Sequence, residues 1–328
     1  MISLNNKVTI LVAGGAGFIG LNFIEFIRKE RPLVDIICLD SLTYASNYYY
    51  LNKLLKKDNQ IKFIKADITD RRKINSVFKK YSPDVLINFA AESHVDNSIT
   101  GPDIFIKTNV LGTQVLMDAC VKYGIKHFHQ VSTDEVYGDV PLKSTRSFTE
   151  KSDLKPSSPY AASKASADLL VLSYIRTFGL PATISRCSNN FGPYQHKEKL
   201  IPKMILRALD NSELPIYGSG ENVRDWIYVE DHCRGILNII EKSAAGQIYN
   251  LAAGCYKTNN QICKLILDIL KKDYSLITHV NDRLGHDLKY SINCSKAHND
   301  LDWTPSCDFA AYLNSTVNWY IKNHSKFR

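Results

Sequence analysis

Two periodicities alternate along the first half of the chain. Unbroken apolar runs rich in β-branched residues occupy Val8–Ala13, Ile36–Leu39, Ile61–Ile64, Val85–Phe89 and Phe128–Val131, with a later one at Ala182–Ser185. Between them, apolar positions recur at helical spacing over Gly20–Lys29, Arg71–Lys80, Pro102–Tyr123 and Pro159–Phe178. In Arg71–Lys80 the pattern sets Ile74, Val77 and Phe78 on one face. Strands that are apolar throughout, alternating with helices, predict a parallel sheet covered on both faces.

Beyond Arg186 the texture changes. Ser188–Leu200 is polar and broken by glycine and proline, so it reads as irregular. A helix is predicted over Ile201–Asp210, a short strand over Pro215–Tyr217, and helices over Asn260–Lys271 and Phe309–Lys322. This second texture predicts a smaller mixed α/β lobe. The expected division is residues 1–187, with a returning segment at about 225–252, as the sheet domain, and 188–224 with 253–328 as the lobe.

Composition narrows the class. The 328 residues suggest two domains or one large lobed one. Apolar residues at 45% and charged residues at 23% exclude disordered and fibrous classes. The net charge of +8 is dispersed, which suits an anionic small molecule. Nucleic-acid binding has no support, because aromatics are not interleaved with the basic residues. The eight cysteines form no C-x-x-C pair and no zinc-spaced cluster, so no metal is expected. They read as reduced thiols in the cytoplasm. Val8–Ile27 is broken by four glycines, Asn22 and Glu25, and no run of about 18 uninterrupted apolar residues occurs, so neither export nor membrane insertion is expected.

The strand Val8–Ala13 runs into Gly14-Gly15-Ala16-Gly17-Phe18-Ile19-Gly20. Gly15, Gly17 and Gly20 fit G-x-G-x-x-G, while Gly14, Gly17 and Gly20 fit G-x-x-G-x-x-G. Either frame makes a tight turn and lets backbone and a helix N-terminus approach a pyrophosphate. Asp40 follows Gly20 by twenty residues, at the end of the second strand, placed to accept both ribose hydroxyls. Ser41 comes next, with no Arg for a 2′-phosphate, so NAD is favoured over NADP. The expected fold is therefore a Rossmann-like doubly wound parallel sheet. Asp67-Ile68 ends the third strand, where adenine would lie, and Asn88-Phe89-Ala90-Ala91 ends the fourth with small residues.

Ser132-Thr133-Asp134-Glu135 sits at a strand's carboxyl end, the edge where open α/β sheets bind ligands. Tyr160 and Lys164 share one helix face. A Lys ammonium and a cationic nicotinamide beside a phenol favour phenolate, lowering the Tyr pKa and making a general base. Two adjacent carboxyl groups permit a second reaction, in which one removes a carbon-acid proton and the other protonates a leaving hydroxyl. Consecutive strand residues point opposite ways, so the strand must end here for both to reach one substrate.

On these blocks the chain resembles the extended short-chain dehydrogenase/reductases and, within them, the dTDP-glucose 4,6-dehydratases. The resemblance runs through Gly14–Gly20, Leu39–Asn47, Ala90–Asp96, Ser132–Asp139, Pro159–Lys164, Ser188–Pro202, Arg224–His232 and Arg283–Asp287. It implies that Tyr160, helped by Lys164 and Thr133, deprotonates the sugar 4-hydroxyl. It also implies that Glu135 takes the C5 proton and Asp134 protonates the departing 6-hydroxyl. The implied NAD contacts are Phe18, Ile19, Asp40, Thr43, Asp67, Ile68, Phe89, Ala90, Ala91, Ser93, Thr108, Tyr160, Lys164 and Asn190. The implied contacts to a nucleotide-diphosphate sugar are Ser93, Thr133, Asn189, Lys199, Leu200, Pro215, Tyr217, Arg224, Asn259, Arg283 and the Gly285–Asp287 turn with His286. Arg224 and Lys199 are of the type that holds a diphosphate.

Three departures from the family pattern concern the lobe. Leu284 stands where Pro is usual, Leu288 where Arg is usual, and His196-Lys197 where Phe-Pro is usual. They leave open UDP-glucose as the substrate of the same reaction. A UDP-sugar 4-epimerase or decarboxylase is opposed by the Asp134–Glu135 pair, and an NAD-sensing scaffold by the whole catalytic set. In the family, the equivalents of Pro102–Tyr123 and Pro159–Phe178 form a four-helix bundle across a two-fold axis, which implies a homodimer.

Overall fold

The computed structural model describes residues 2–282, 285–306 and 308–327. A seven-stranded sheet organises it. The strands are β1 (Thr9–Ala13), β2 (Asp35–Asp40), β3 (Ile61–Lys65), β4 (Val85–Asn88), β5 (His127–Thr133) and β6 (Ala182–Cys187), with β10 (Ile248–Leu251) at one edge. Three strands lie between β6 and β10 in sequence: β7 (Asn189–Phe191), β8 (Leu214–Tyr217) and β9 (Val223–Tyr228). Every pairing in the large sheet is parallel, in the order β10-β6-β5-β4-β1-β2-β3. The chain winds outward one way from β1 and the other way from β4. A crevice therefore opens at the carboxyl ends of these neighbours, where Ala13 stands level with Leu39 and Asn88.

Both faces of the sheet are covered. On one, the helix Phe18–Glu30 buries Leu21, Phe23, Ile24 and Ile27 against Cys233, Ile236, Leu237 and Ile240 of the helix Val229–Lys242. On the other, Ile74, Val77, Phe78, Leu116 and Val171 pack over Ile37, Leu86 and Phe128. The helix Val229–Lys242 and strand β10 give structure to the returning segment that the sequence left undivided.

The second region holds a small sheet, β11 (Tyr256–Thr258) with β9 and β7, and a pair of β8 with β12 (Ile277–Val280). Its own core centres on Ile205, Trp226, Ile266, Val317 and Tyr320. Two expectations change here. Within the stretch read as irregular, Asn189–Phe191 is a strand, because its backbone pairs with Trp226–Tyr228. The predicted Pro102–Tyr123 helix is three segments: Asp103–Phe105, a π-helical Ile106–Gly112, and Thr113–Tyr123. Such widened turns gather at functional sites, and this one carries Asn109.

Asp103–Tyr123 is also long and apolar enough by length and composition to cross a membrane, yet half of its most apolar window is buried in the protein.

Candidate active site

The glycine turn is forced by contact. Gly14 has φ +74°, and a Cβ there would stand 2.5 Å from the Ala90 nitrogen. A Cβ on Gly20 would collide with the Gly14 carbonyl. Of the two glycine frames, Gly14, Gly17 and Gly20 line the cavity described next, while Gly15 faces Cys38 from beneath. Asp40 braces the turn: its Oδ2 accepts the Ala16 N–H at 3.0 Å and its Oδ1 the Leu42 N–H at 2.7 Å. Burial nevertheless pushes its carboxyl above the usual value, against the pull of these two N–H groups.

A cavity of about 350 Å³ runs from this turn along the crevice to β5 and β6. It is lined by every residue named above as an NAD contact, from Phe18 and Ile19 through Thr43, Asp67, Ile68, Phe89, Ala90, Ala91, Ser93 and Thr108 to Asn190. The volume, and a lining that mixes apolar wall with many polar groups, suit a cofactor site that carries both rings and phosphates.

At its far end lie the five candidate catalytic residues. β5 stops at Thr133 and the chain turns into a 3₁₀ segment, Asp134–Tyr137. That turn, as the sequence required, frees Asp134 and Glu135 from strand alternation. The Thr133 hydroxyl donates to Asp134 Oδ1 at 3.3 Å and accepts the Glu135 N–H at 3.3 Å. Asp134 is only 3% exposed, and its Oδ2 has no hydrogen-bond partner among the described residues. Burial, then the charges of Glu135 and Asp225, raise its carboxyl pKa well above the usual carboxylate range.

The lowering expected at Tyr160 rests on the Lys164 ammonium and a nicotinamide together. Burial, followed by Glu135 and Cys187, pushes its phenol well above 10, and the Thr133 hydroxyl opposes this. The protein's own groups do not lower it. Lys164 instead donates from Nζ to the Val131 carbonyl at 2.7 Å. Burial lowers the Lys164 pKa, while Asp168 and then Cys187 act to raise it.

Of the candidate substrate contacts, Ser93, Thr133, Asn189 and Lys199 line the cavity. Lys199 Nζ donates to the Ser93 carbonyl at 2.7 Å, joining the two walls. Arg224 is buried beside the catalytic end. Its guanidinium lies 4.3 Å from the centre of the Tyr290 ring, donates to the Asp287 carbonyl at 3.0 Å, and acts to lower the Asp134 pKa. Asp287 Oδ2 accepts from Ser157 Oγ at 2.6 Å and from the Tyr290 hydroxyl. The Tyr217 hydroxyl reaches Asp96 at 3.4 Å, and its ring meets His286 edge-on. Leu200, Pro215 and Asn259 stand away from the cavity wall. Arg283 and Leu284 lie outside the described residues.

Several residues in or behind the wall carry no motif and escaped the sequence. Cys187 packs between Asp134 and Lys164, and burial pushes its thiol up to about 12. Asn109 accepts the Glu92 N–H at 2.9 Å and donates to the Glu92 carbonyl at 3.0 Å and to Ser163 Oγ at 2.8 Å. It thereby fixes the wall loop to the Tyr160 helix. Glu198 lies 3.8 Å from His94 and 3.5 Å from His196. Burial alone would raise its carboxyl, but His196, His94 and Lys199 outweigh it and the net shift is downward. His196 thus stands in the cavity wall against Glu198.

A doubly wound sheet, a glycine cradle with an Asp at the next strand end, and a Tyr-x-x-x-Lys helix beside a hydroxyl-bearing strand end define an extended short-chain dehydrogenase/reductase. A family model described as GDP-mannose 4,6 dehydratase matches residues 11–316. The dTDP-glucose 4,6-dehydratase of Escherichia coli is 43% identical over 341 residues, spanning 96% of this chain and 94% of that protein. The solved dTDP-glucose 4,6-dehydratase DesIV of Streptomyces venezuelae, with NAD bound, superimposes with a TM-score of 0.93 at 44% identity, covering 98% of this chain and 99% of that one. A UDP-glucose 4-epimerase from Thermotoga maritima shares the fold at TM-score 0.88 but only 29% identity, over 96% of this chain and 99% of that one. The chain belongs to the family of that model, and within it to the dTDP-glucose 4,6-dehydratases.

Proposed function

We infer that the protein is an NAD-dependent hydro-lyase that converts dTDP-glucose to dTDP-4-keto-6-deoxyglucose. The observation that carries this is Asp134, a carboxyl group whose protonated form burial favours and whose Oδ2 is unpartnered among the described residues, adjacent to a second carboxyl and a phenol. An epimerase has no use for such an acid beside a base; an elimination of water needs both.

The residues present fit NAD. Gly14 and Gly20 leave space where any Cβ would collide, and Asp40 ends the second strand at the same cavity. The chemistry NAD supplies there is reversible storage of a hydride, taken from C4 and returned to C6. Tyr160 Oη takes the proton of the sugar 4-hydroxyl, with Thr133 and Lys164 beside it. Glu135 removes the C5 proton, which is acidic only once C4 is a ketone. Asp134 gives its proton to the 6-hydroxyl, which leaves as water; Glu135 then returns a proton to C5, and the proton taken by Tyr160 is exchanged back to Asp134 through solvent, so the product is the substrate less one water. Arg224 and Lys199 hold the diphosphate. Ser93, Asn189, Leu200, Pro215, Tyr217, Asn259, Arg283, His286 and Asp287 complete the sugar-nucleotide site.

We assign residues 1–187 and about 225–252 to cofactor binding, and the remainder to the substrate lobe. A second copy covers the apolar side chains exposed on two helices, Ile106 and Leu111 on one and Leu169 and Phe178 on the other. Free, mostly buried thiols fit a reducing, cytoplasmic setting.

The test is Glu135→Gln with dTDP-glucose in deuterated water. The variant is expected to reduce its cofactor while incorporating no deuterium at C5 and releasing no product. Full turnover would overturn the assigned role.

A further inference from the structure

Behind the catalytic residues lies a buried ion pair that the reaction as written does not use. Asp168 Oδ2 and Arg186 Nε are 2.9 Å apart, with side chains 0% and 2% exposed. Asp168 is one helical turn beyond Lys164 on the same helix. Arg186 lies on β6, donates from Nη1 to the Tyr137 hydroxyl at 2.8 Å, and sits 4.8 Å from the centre of that ring. The Tyr137 hydroxyl in turn donates to Asn250 Oδ1 on β10 at 2.8 Å. Tyr137 closes the 3₁₀ turn that begins with Asp134 and Glu135.

We propose that Asp168 and Arg186 are positioning residues that lock the Tyr160–Lys164 helix to the Asp134–Glu135 turn. Asp168 performs one half of this. Lys164 donates to a neutral carbonyl; among ionisable groups it faces Asp168 on its own helix and the Cys187 thiol on β6. A lysine in that setting keeps its proton only if a carboxylate is close. Arg186 performs the other half. Its charge is balanced by Asp168, and its planar fork spans from the helix to the Tyr137 hydroxyl, fixing the turn from behind. An ion pair with no water contact costs desolvation and is weak evidence for stability alone, so its place between the two catalytic elements suits a geometric role.

This rests on the dehydratase reading, and the test separates the two. Wild-type protein that gives no dehydrated product from dTDP-glucose sinks that reading, whereas hydrogen exchange on the cofactor-free protein still decides the lock. Tyr137→Phe keeps the ring and removes the hydroxyl. Amides of residues 134–138 are expected to exchange faster than in the wild type, with cofactor reduction near the wild-type rate. C5 exchange and product formation are expected to fall roughly 10- to 100-fold with KM little changed. Asp168→Asn should move the alkaline limb of C4 oxidation to lower pH, and Asp168→Glu should bring it back. If Asp168→Asn does not fold, Tyr137→Phe decides alone. Unchanged exchange over residues 134–138, an equal slowing of all steps, or an alkaline limb that stays in place would overturn the proposal.

Discussion

Asp134 occupies a position that stability alone would not choose. Its carboxyl pKa is raised in the folded chain, so the folded state binds the proton more tightly than the unfolded one. Stability is therefore lost as pH rises from the unfolded value near 3.8 toward the raised value. Asp134→Asn removes this penalty. The variant is expected to melt at or above the wild-type temperature, by a margin that widens with pH, and to lose roughly 10²- to 10⁴-fold in product formation. Melting curves at several pH values check the first half. A variant that is both less stable and fully active would contradict the assignment. Tyr160→Phe differs in kind: it should slow cofactor reduction itself, because the phenol acts before elimination begins. Rapid mixing under single-turnover conditions reads that step directly, and an unchanged rate would remove Tyr160 as the base.

At the scale of elements, two buried histidines of β5 meet hydroxyls of β6, and a third, His232, lies on the helix Val229–Lys242. His127 and His129 share the Thr183 hydroxyl, and His129 also meets Ser185 Oγ. His232 pairs with Asn190 Oδ1 on β7. Burial lowers His232 from 6.5 to about 3 and His127 to about 4. A histidine held neutral costs nothing above pH 6.5. As pH falls below that value it removes about 1.4 kcal/mol per unit. His232→Gln relative to wild type should therefore show a stability difference that is flat above pH 6.5 and grows in the variant's favour on acidification. Urea unfolding across that range checks it, and a pH-independent difference would contradict it.

The elements legible in the sequence were those whose partners are local or repetitive. The strands β1 to β6 announced themselves because burial on both faces makes them apolar throughout, and Gly14–Gly20 because its demands are steric and contiguous. The strand Asn189–Phe191 was not legible, since only pairing with the distant β9 makes it one. The π segment was hidden because Ile106–Gly112 has an ordinary helical composition. Likewise no spacing in the sequence joins Asp168 on the helix to Arg186 on the strand. Their meaning lies in what the fold puts between them. For Tyr160, spacing shows Lys164 nearby but not that its ammonium donates to the Val131 carbonyl.

For the molecule as a whole, the sheet region presents the cofactor crevice, and the lobe brings Arg224 and the 285–290 segment over its open end. The dispersed charge of +8 suits a substrate carrying a diphosphate. Light scattering at micromolar concentration should return the mass of two chains, and replacing Leu169 and Phe178 by charged residues should return one. A monomer in the unmodified protein would count against pairing through that face. The central claim is the elimination of water, and the most direct measurement is product mass after separate incubation with dTDP-glucose and with UDP-glucose. The expected result is loss of one water from dTDP-glucose. No change in mass with either nucleotide sugar would contradict it.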